Sequence, residues 1–198
     1  MGSTGSNNKI VSILITIGAA QFLFMMHLAE FLFPSYNVSN NYISDLGAMC
    51  RGGVCTIYQP SSLIFNSSII VLGIMIMISS YYIHRLFRSL VLSGVVFLAG
   101  IGSVGVGAFP ETYGVLHTIS SIVTFVPASL IPLTTSFVIR DSFFRAFSVV
   151  MSILSILSLA LFVSRNDLGL GIGGIERLIV YPILFWALFF GGFILKYR

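Results

Sequence analysis

Charge is what this chain has least of: 8% of its 198 residues are Asp, Glu, Lys or Arg, while 57% are hydrophobic. Soluble globular domains carry about a quarter charged residues, so this composition, with a mean hydropathy of +1.02, excludes one. Missing too are the alternating segments of about ten residues that a transmembrane barrel needs; the apolar runs here are continuous. No basic cluster occurs despite a pI near 9.3. Lys and Arg stand singly or in pairs at the ends of apolar runs, which excludes nucleic acid as a partner and singles out no particular anionic lipid. The first run is not a short apolar stretch closed by a small-residue cleavage site, so it reads as a retained span. There is no C-x-x-C redox pair, no H-E-x-x-H zinc pair and no G-x-S-x-G setting for a serine nucleophile. No internal repeat is evident, and the inverted halves of many transporters are not visible.

What is present is length. Apolar runs of about 20 residues, enough to cross a bilayer, occur six times, near 10–33, 61–83, 89–109, 114–139, 143–163 and 175–195. Their backbone polar groups must be satisfied within each helix. The expected fold is all-α: a polytopic membrane protein formed as one bundle of six transmembrane helices, with a long first extracytoplasmic loop over 34–60. Alternating the connectors between two faces puts Lys9, Arg85, Arg88, Arg140, Arg145, Lys196 and Arg198 on one side and Arg51, Arg165 and Arg177 on the other. That bias predicts a multi-pass cell-membrane protein with cytoplasmic N- and C-termini. The carboxylates go the other way: Glu30, Asp45, Glu111, Asp167 and Glu176 fall at the outer face, Asp141 at the inner.

Local signals refine the bundle. Pro34 should end the first span. The 34–60 loop mixes polar residues with Tyr42, Ile43, Leu46 and Met49 and should pack as a cap. Five glycines between Gly94 and Gly107 predict close helix approach along the third span, and Ser148, Ser152, Ser155 and Ser158 form a packing stripe on the fifth. Pro127 and Pro132 should kink the fourth. The start Met1-Gly2-Ser3-Thr4-Gly5-Ser6 matches a myristoylation pattern formally, but reads more simply as a flexible Gly/Ser tail. Asn37-Val38-Ser39 is an N-glycosylation triplet on the outer side.

Polar groups expected together at the outer boundary are His27, Glu30, Asn41, Ser44, Asp45, Glu111, His117, Glu176 and Arg177. Ionisable residues inside spans are costly and mark functional sites by default. His117, beside a carboxylate, is the candidate general acid or base with Asp45 or Glu111. Arg177 should pair with Asp45, Glu30 or Glu111, or hold an anionic group. Glu176, Ser44, Asn41, His27 and Glu30 are candidate ligand contacts, with Ser44 or Asp45 also able to cap a turn of the loop. His27 and His117 with carboxylates offer a weak zinc signal, and the reading is no metal and no cofactor. Cys50 and Cys55, the only cysteines, are expected to form a structural disulfide.

The segment Asn41-Tyr42-Ile43-Ser44-Asp45-Leu46-Gly47, then Phe109-Pro110-Glu111 with His117, then Glu176-Arg177 with Tyr181-Pro182, resembles the six-span prokaryotic membrane proteins of domain-of-unknown-function family 998. These are similar in turn to the eukaryotic Frag/DRAM/Sfk membrane proteins. The resemblance covers nearly the whole chain and implies roles for Ser44, Asp45, Gly47, Glu111, His117, Glu176 and Arg177. It implies no activity, although the eukaryotic relatives' association with lipid remodelling points toward lipid headgroups.

Three functions compete. The first is an outward-facing polar pocket that binds a lipid headgroup or lipid-linked intermediate, with or without transforming it. The second is a non-enzymatic assembly subunit, as a homo-oligomer or with a membrane-protein partner. The third is a transporter, ranked last because the inner halves of the spans hold no ionisable residue. Membrane lipids are the expected partners.

Overall fold

Six long helices account for nearly all of the chain in a computed structural model that describes residues 2–197, with side chains from Gly5 onward. They are α1 (Gly2–Leu32), α2 (Ser61–Phe87), α3 (Leu90–Ala108), α4 (Val115–Val138), α5 (Ser142–Val163) and α6 (Gly171–Lys196). Each contains a stretch long and apolar enough to cross a membrane, the architecture of a polytopic membrane protein. Large apolar side chains on the outer faces, such as Phe24, Phe31, Phe137 and Phe143, are exposed, as a hydrocarbon surrounding allows.

The helices neighbour one another in chain order, and α6 returns to α1. Asn8 Nδ2 donates to the Tyr197 carbonyl at 2.7 Å, so both chain ends lie on one side of the bundle. Met1 and Arg198 lie outside the described residues, and with them the first residue of the myristoylation pattern and one of the inner cations.

Small residues set the helix separations, because apolar burial gives no net drive to helix association in lipid. A Cβ on Gly73 or Gly100 would meet the facing backbone of the α2–α3 contact, and one on Gly102 would meet that of α4. The serine stripe of α5 is wholly internal. Ser152 Oγ donates to the Ser129 carbonyl at 2.5 Å, Ser155 Oγ donates to the Ile179 carbonyl at 2.9 Å, and Ser148 Oγ accepts from Trp186 Nε1 at 2.8 Å. Helix α4 continues through both Pro127 and Pro132.

Two helix starts differ from expectation. Helix α1 begins at Gly2 rather than near residue 10, replacing the expected flexible tail, since extending an existing helix costs far less than nucleating one. Helix α6 begins at Gly171, inside the glycine run. There the cap lies directly on the helix: Gly173 N–H donates to the Ser39 carbonyl at 2.9 Å, and a side chain on Gly173 would collide with the Val38 and Asn41 carbonyls.

The long connector is a packed cap. It contains a 3₁₀ turn (Ser44–Leu46) and a hairpin of β1 (Met49–Arg51) and β2 (Val54–Thr56), in which Cys50 opposes Cys55. These two cysteines form a disulfide. Ile43 and Leu46 of the cap join Phe22, Met26, Phe65 and Leu184 in one apolar core. A second 3₁₀ turn (Glu111–Tyr113) links α3 to α4 on the same face.

Candidate functional site

The segment 41–47 is held from four directions, and each hold uses an ionisable side chain. Within the segment, the Asp45 carboxylate is fully buried and accepts from Tyr42 N–H at 2.9 Å and Asn41 Nδ2 at 3.0 Å. Arg51, carried by β1, donates to both of its oxygens at 2.9 and 2.7 Å and lies over the Tyr42 ring. From the α3–α4 turn, Glu111 accepts from Ser44 Oγ at 2.8 Å and from Cys50 N–H at 3.0 Å. Arg51 Nη1 stands 3.6 Å from it, so this one cation bridges Asp45 and Glu111.

From α6 come the other two. Glu176 Oε2 accepts from Ile43 N–H at 2.5 Å. Arg177 is enclosed: Nη2 donates to Glu30 at 2.5 Å and to Tyr36 Oη at 2.7 Å, while Nη1 donates to the carbonyls of Val38, Asn41 and Gly173 at 3.1, 3.3 and 2.9 Å. Of the three carboxylates considered as partners for Arg177, the bundle selects Glu30. Its guanidinium is turned into a clasp between α1, the cap and α6, which leaves little to offer an incoming anion.

Desolvation governs the loop groups. Burial is the largest influence on Glu111 and raises its carboxyl above the usual range, with the Asp45 charge adding to that and the hydrogen bonds from Cys50 and Ser44 and the Arg51 charge opposing it. Burial likewise raises the phenols of Tyr36 and Tyr42, each against a neighbouring arginine.

The two histidines do not join the carboxylates. His27 Nδ1 bonds the Leu23 carbonyl at 2.7 Å on the exposed side of α1, and its other nitrogen faces Tyr181 Oη at 3.5 Å. His117 Nδ1 bonds the Phe109 carbonyl at 2.8 Å, with Ser121 Oγ at 3.4 Å from Nε2. A carbonyl only accepts, so Nδ1 carries the proton in both rings. The expected His117–carboxylate pair is therefore absent, because the Phe109 carbonyl at the C-terminal end of α3 takes the ring nitrogen. Among the described residues no group of three or more His, Cys, Asp or Glu is placed to hold a metal. Asn37 Oδ1 accepts from the Ser39 and Asn40 N–H groups, both at 3.0 Å, and so caps a turn.

Below the cap lies a cavity of about 110 Å³. Its wall comes from α1, α2, α3, α4 and α6 but not α5, and includes Ala19, Leu72, Val96, Ala99, Ile131 and Ala187. It extends along α6 from Glu176 to Phe190, a rise of about 21 Å. The hydroxyls of Ser103, Thr124 and Thr135 bond carbonyls of their own helices, leaving the wall effectively apolar. At the cap end the lining includes Ser44 and Glu176. Glu176 is 3% exposed, and among the described residues no cation lies within salt-bridge distance of it.

Sequence reasoning placed Glu30, Asn41, Ser44, Asp45, Glu111, Glu176 and Arg177 at this cap, and the structure brings these together. It missed Arg51 as their partner, although a loop with one acid, Asp45, and one cation, Arg51, pointed to that pairing. It also missed Tyr36, for which the sequence offers no signal, and the cavity, which depends on how each helix is rotated.

A family profile described as "Protein of unknown function (DUF998)" matches residues 16–192. No curated protein and no solved structure gives a significant match.

Proposed function

The chain belongs to the DUF998 family of proteins of unknown function, and we propose that it binds a membrane lipid, with the headgroup at the polar cap and apolar chain in the cavity beneath. One observation carries this reading: the apolar cavity ends at Ser44 and Glu176, side chains that also belong to the polar network of the cap. A space with one polar end and a long apolar wall matches an amphiphile in kind, as ligand sites combine apolar linings with a few placed polar groups. The Lys/Arg bias supports an extracytoplasmic cap and cytoplasmic termini in the cell membrane.

Transformation of that lipid by His117 with Asp45 or Glu111 draws no support from the geometry, and the proposal is binding alone. The assembly reading loses one of its surfaces, because the α5 serine stripe is engaged by α4 and α6.

Native mass spectrometry of protein extracted from membranes in mild detergent tests the proposal. One lipid adduct per chain is expected, and it should be lost in Ala99→Trp, which fills the cavity, in a variant that still elutes as a folded bundle. Wild-type protein that carries no adduct, even after incubation with total membrane lipid, overturns the reading.

A further inference from the structure

We infer that the ligand's head is a neutral or cationic hydrogen-bond donor, an alcohol or an amine on a single apolar chain, and not a phosphate. The inference rests on the lipid-binding reading above and specifies the chemistry of the same site.

Neither arginine of the cap lines the cavity, whose polar end is formed by Ser44 and Glu176. Arg177 commits both terminal nitrogens to Glu30, Tyr36 and three carbonyls, and among the described residues only its buried Nε is left without a partner. Arg51 is held by Asp45 and by the Cys50 carbonyl. The Ser44 hydroxyl proton points to Glu111, and Ile43 N–H points to Glu176. What remains facing the space are acceptors: the lone pairs of Ser44 Oγ and the second oxygen of Glu176, which accepts no hydrogen bond among the described residues. A buried carboxyl group with one hydrogen bond and one oxygen unpaired is costly without a further partner, and an alcohol or amine supplies one.

Charge points the same way. The cap network sets four acidic side chains, Glu30, Asp45, Glu111 and Glu176, against the two cations Arg51 and Arg177, and Glu176 is the one that lines the cavity. A phosphate in the cavity would sit beside Glu176 with no arginine or lysine in the lining, and like charges brought together oppose binding. The slender cavity, about 110 Å³, is smaller than an engineered cavity of about 150 Å³ that holds benzene, which favours one narrow chain over two.

The test uses the full chain in lipid nanodiscs and four photoreactive probes of equal chain length, bearing an alcohol, an amine, a phosphate monoester or no head. Crosslinks are mapped to the α3 and α6 wall around Val96 and Ala187. Alcohol and amine probes are expected to label the wall strongly and the phosphate probe weakly. Glu176→Leu should abolish the advantage of the amine over the headless probe, whose own labelling reports that the cavity persists. Should Glu176→Leu fail to fold, the ranking of the probes on wild-type protein decides. Phosphate labelling equal to amine labelling, or an amine advantage unchanged in Glu176→Leu, overturns this inference and leaves lipid binding standing. Absence of wall labelling by every probe, the headless one included, overturns lipid binding itself.

Discussion

Arg177 shows how much of the cap depends on single side chains. Its guanidinium joins α1, the cap and α6 while almost wholly buried, and removing one member of a buried pair leaves an uncompensated charge. Arg177→Ala is therefore expected to lose about 3–5 kcal/mol of stability, read from unfolding in detergent. The double replacement Glu30→Leu with Arg177→Met should lose less, because no orphan charge remains. Glu111 gives a pH prediction of defined sign. Burial raises its folded pKa above the ordinary 4.5, so the fold holds this proton more tightly than the unfolded chain does. Its contribution is complete below the ordinary value and is lost as pH rises through the raised one. The stability difference between wild type and Glu111→Gln should shift against wild type over that window; a difference independent of pH would contradict the assignment. At this scale the sequence announced the acids, because ionisable groups near a bilayer are conspicuous. It did not announce their pairings: the spacing of His27 and Glu30 puts them toward one helical face, yet Glu30 reaches Arg177 while His27 stays on the exposed side.

Helix–helix contacts depend on residues whose virtue is smallness. Gly100→Leu would drive a side chain into α2 at Gly73 and Met77, whereas Gly94, on the same helix, has nothing within 4 Å of an added Cβ. Gly100→Leu should abolish the monodisperse folded peak in size-exclusion chromatography, and Gly94→Leu should leave it intact. Element positions were legible from apolar run length, and most helix ends fall within a few residues of the expected ones. The exceptions have physical causes. Polar residues before Ile10 extend an established helix at little cost, and the glycines before Ile175 let the cap rest on the helix instead of ending it. The hairpin went unread although Gly52-Gly53 between short flanks is a two-residue turn signal, because strands of three residues carry almost no periodicity.

For the whole molecule, an even number of crossings and the Asn8–Tyr197 bond put both chain ends on one side, while the cap, the disulfide and every carboxylate but Asp141 occupy the other. A cysteine placed at Ser39 should react with an impermeant thiol reagent on intact cells, and one placed at Ser6 should react only after permeabilisation; the reverse pattern would refute the assigned orientation. The interior space is a property of this scale alone. Its wall is drawn from five helices and the cap, with no side chain from α5, and no local pattern encodes that. Because the account turns on what fills that space, an experimental structure of the protein in its native lipid is the most direct measurement. Elongated density is expected to run from Ser44 and Glu176 toward Phe190, with its polar end against the Glu176 carboxyl group. A cavity collapsed or empty in that setting, with lipid density only on the outer faces of the helices, would contradict it.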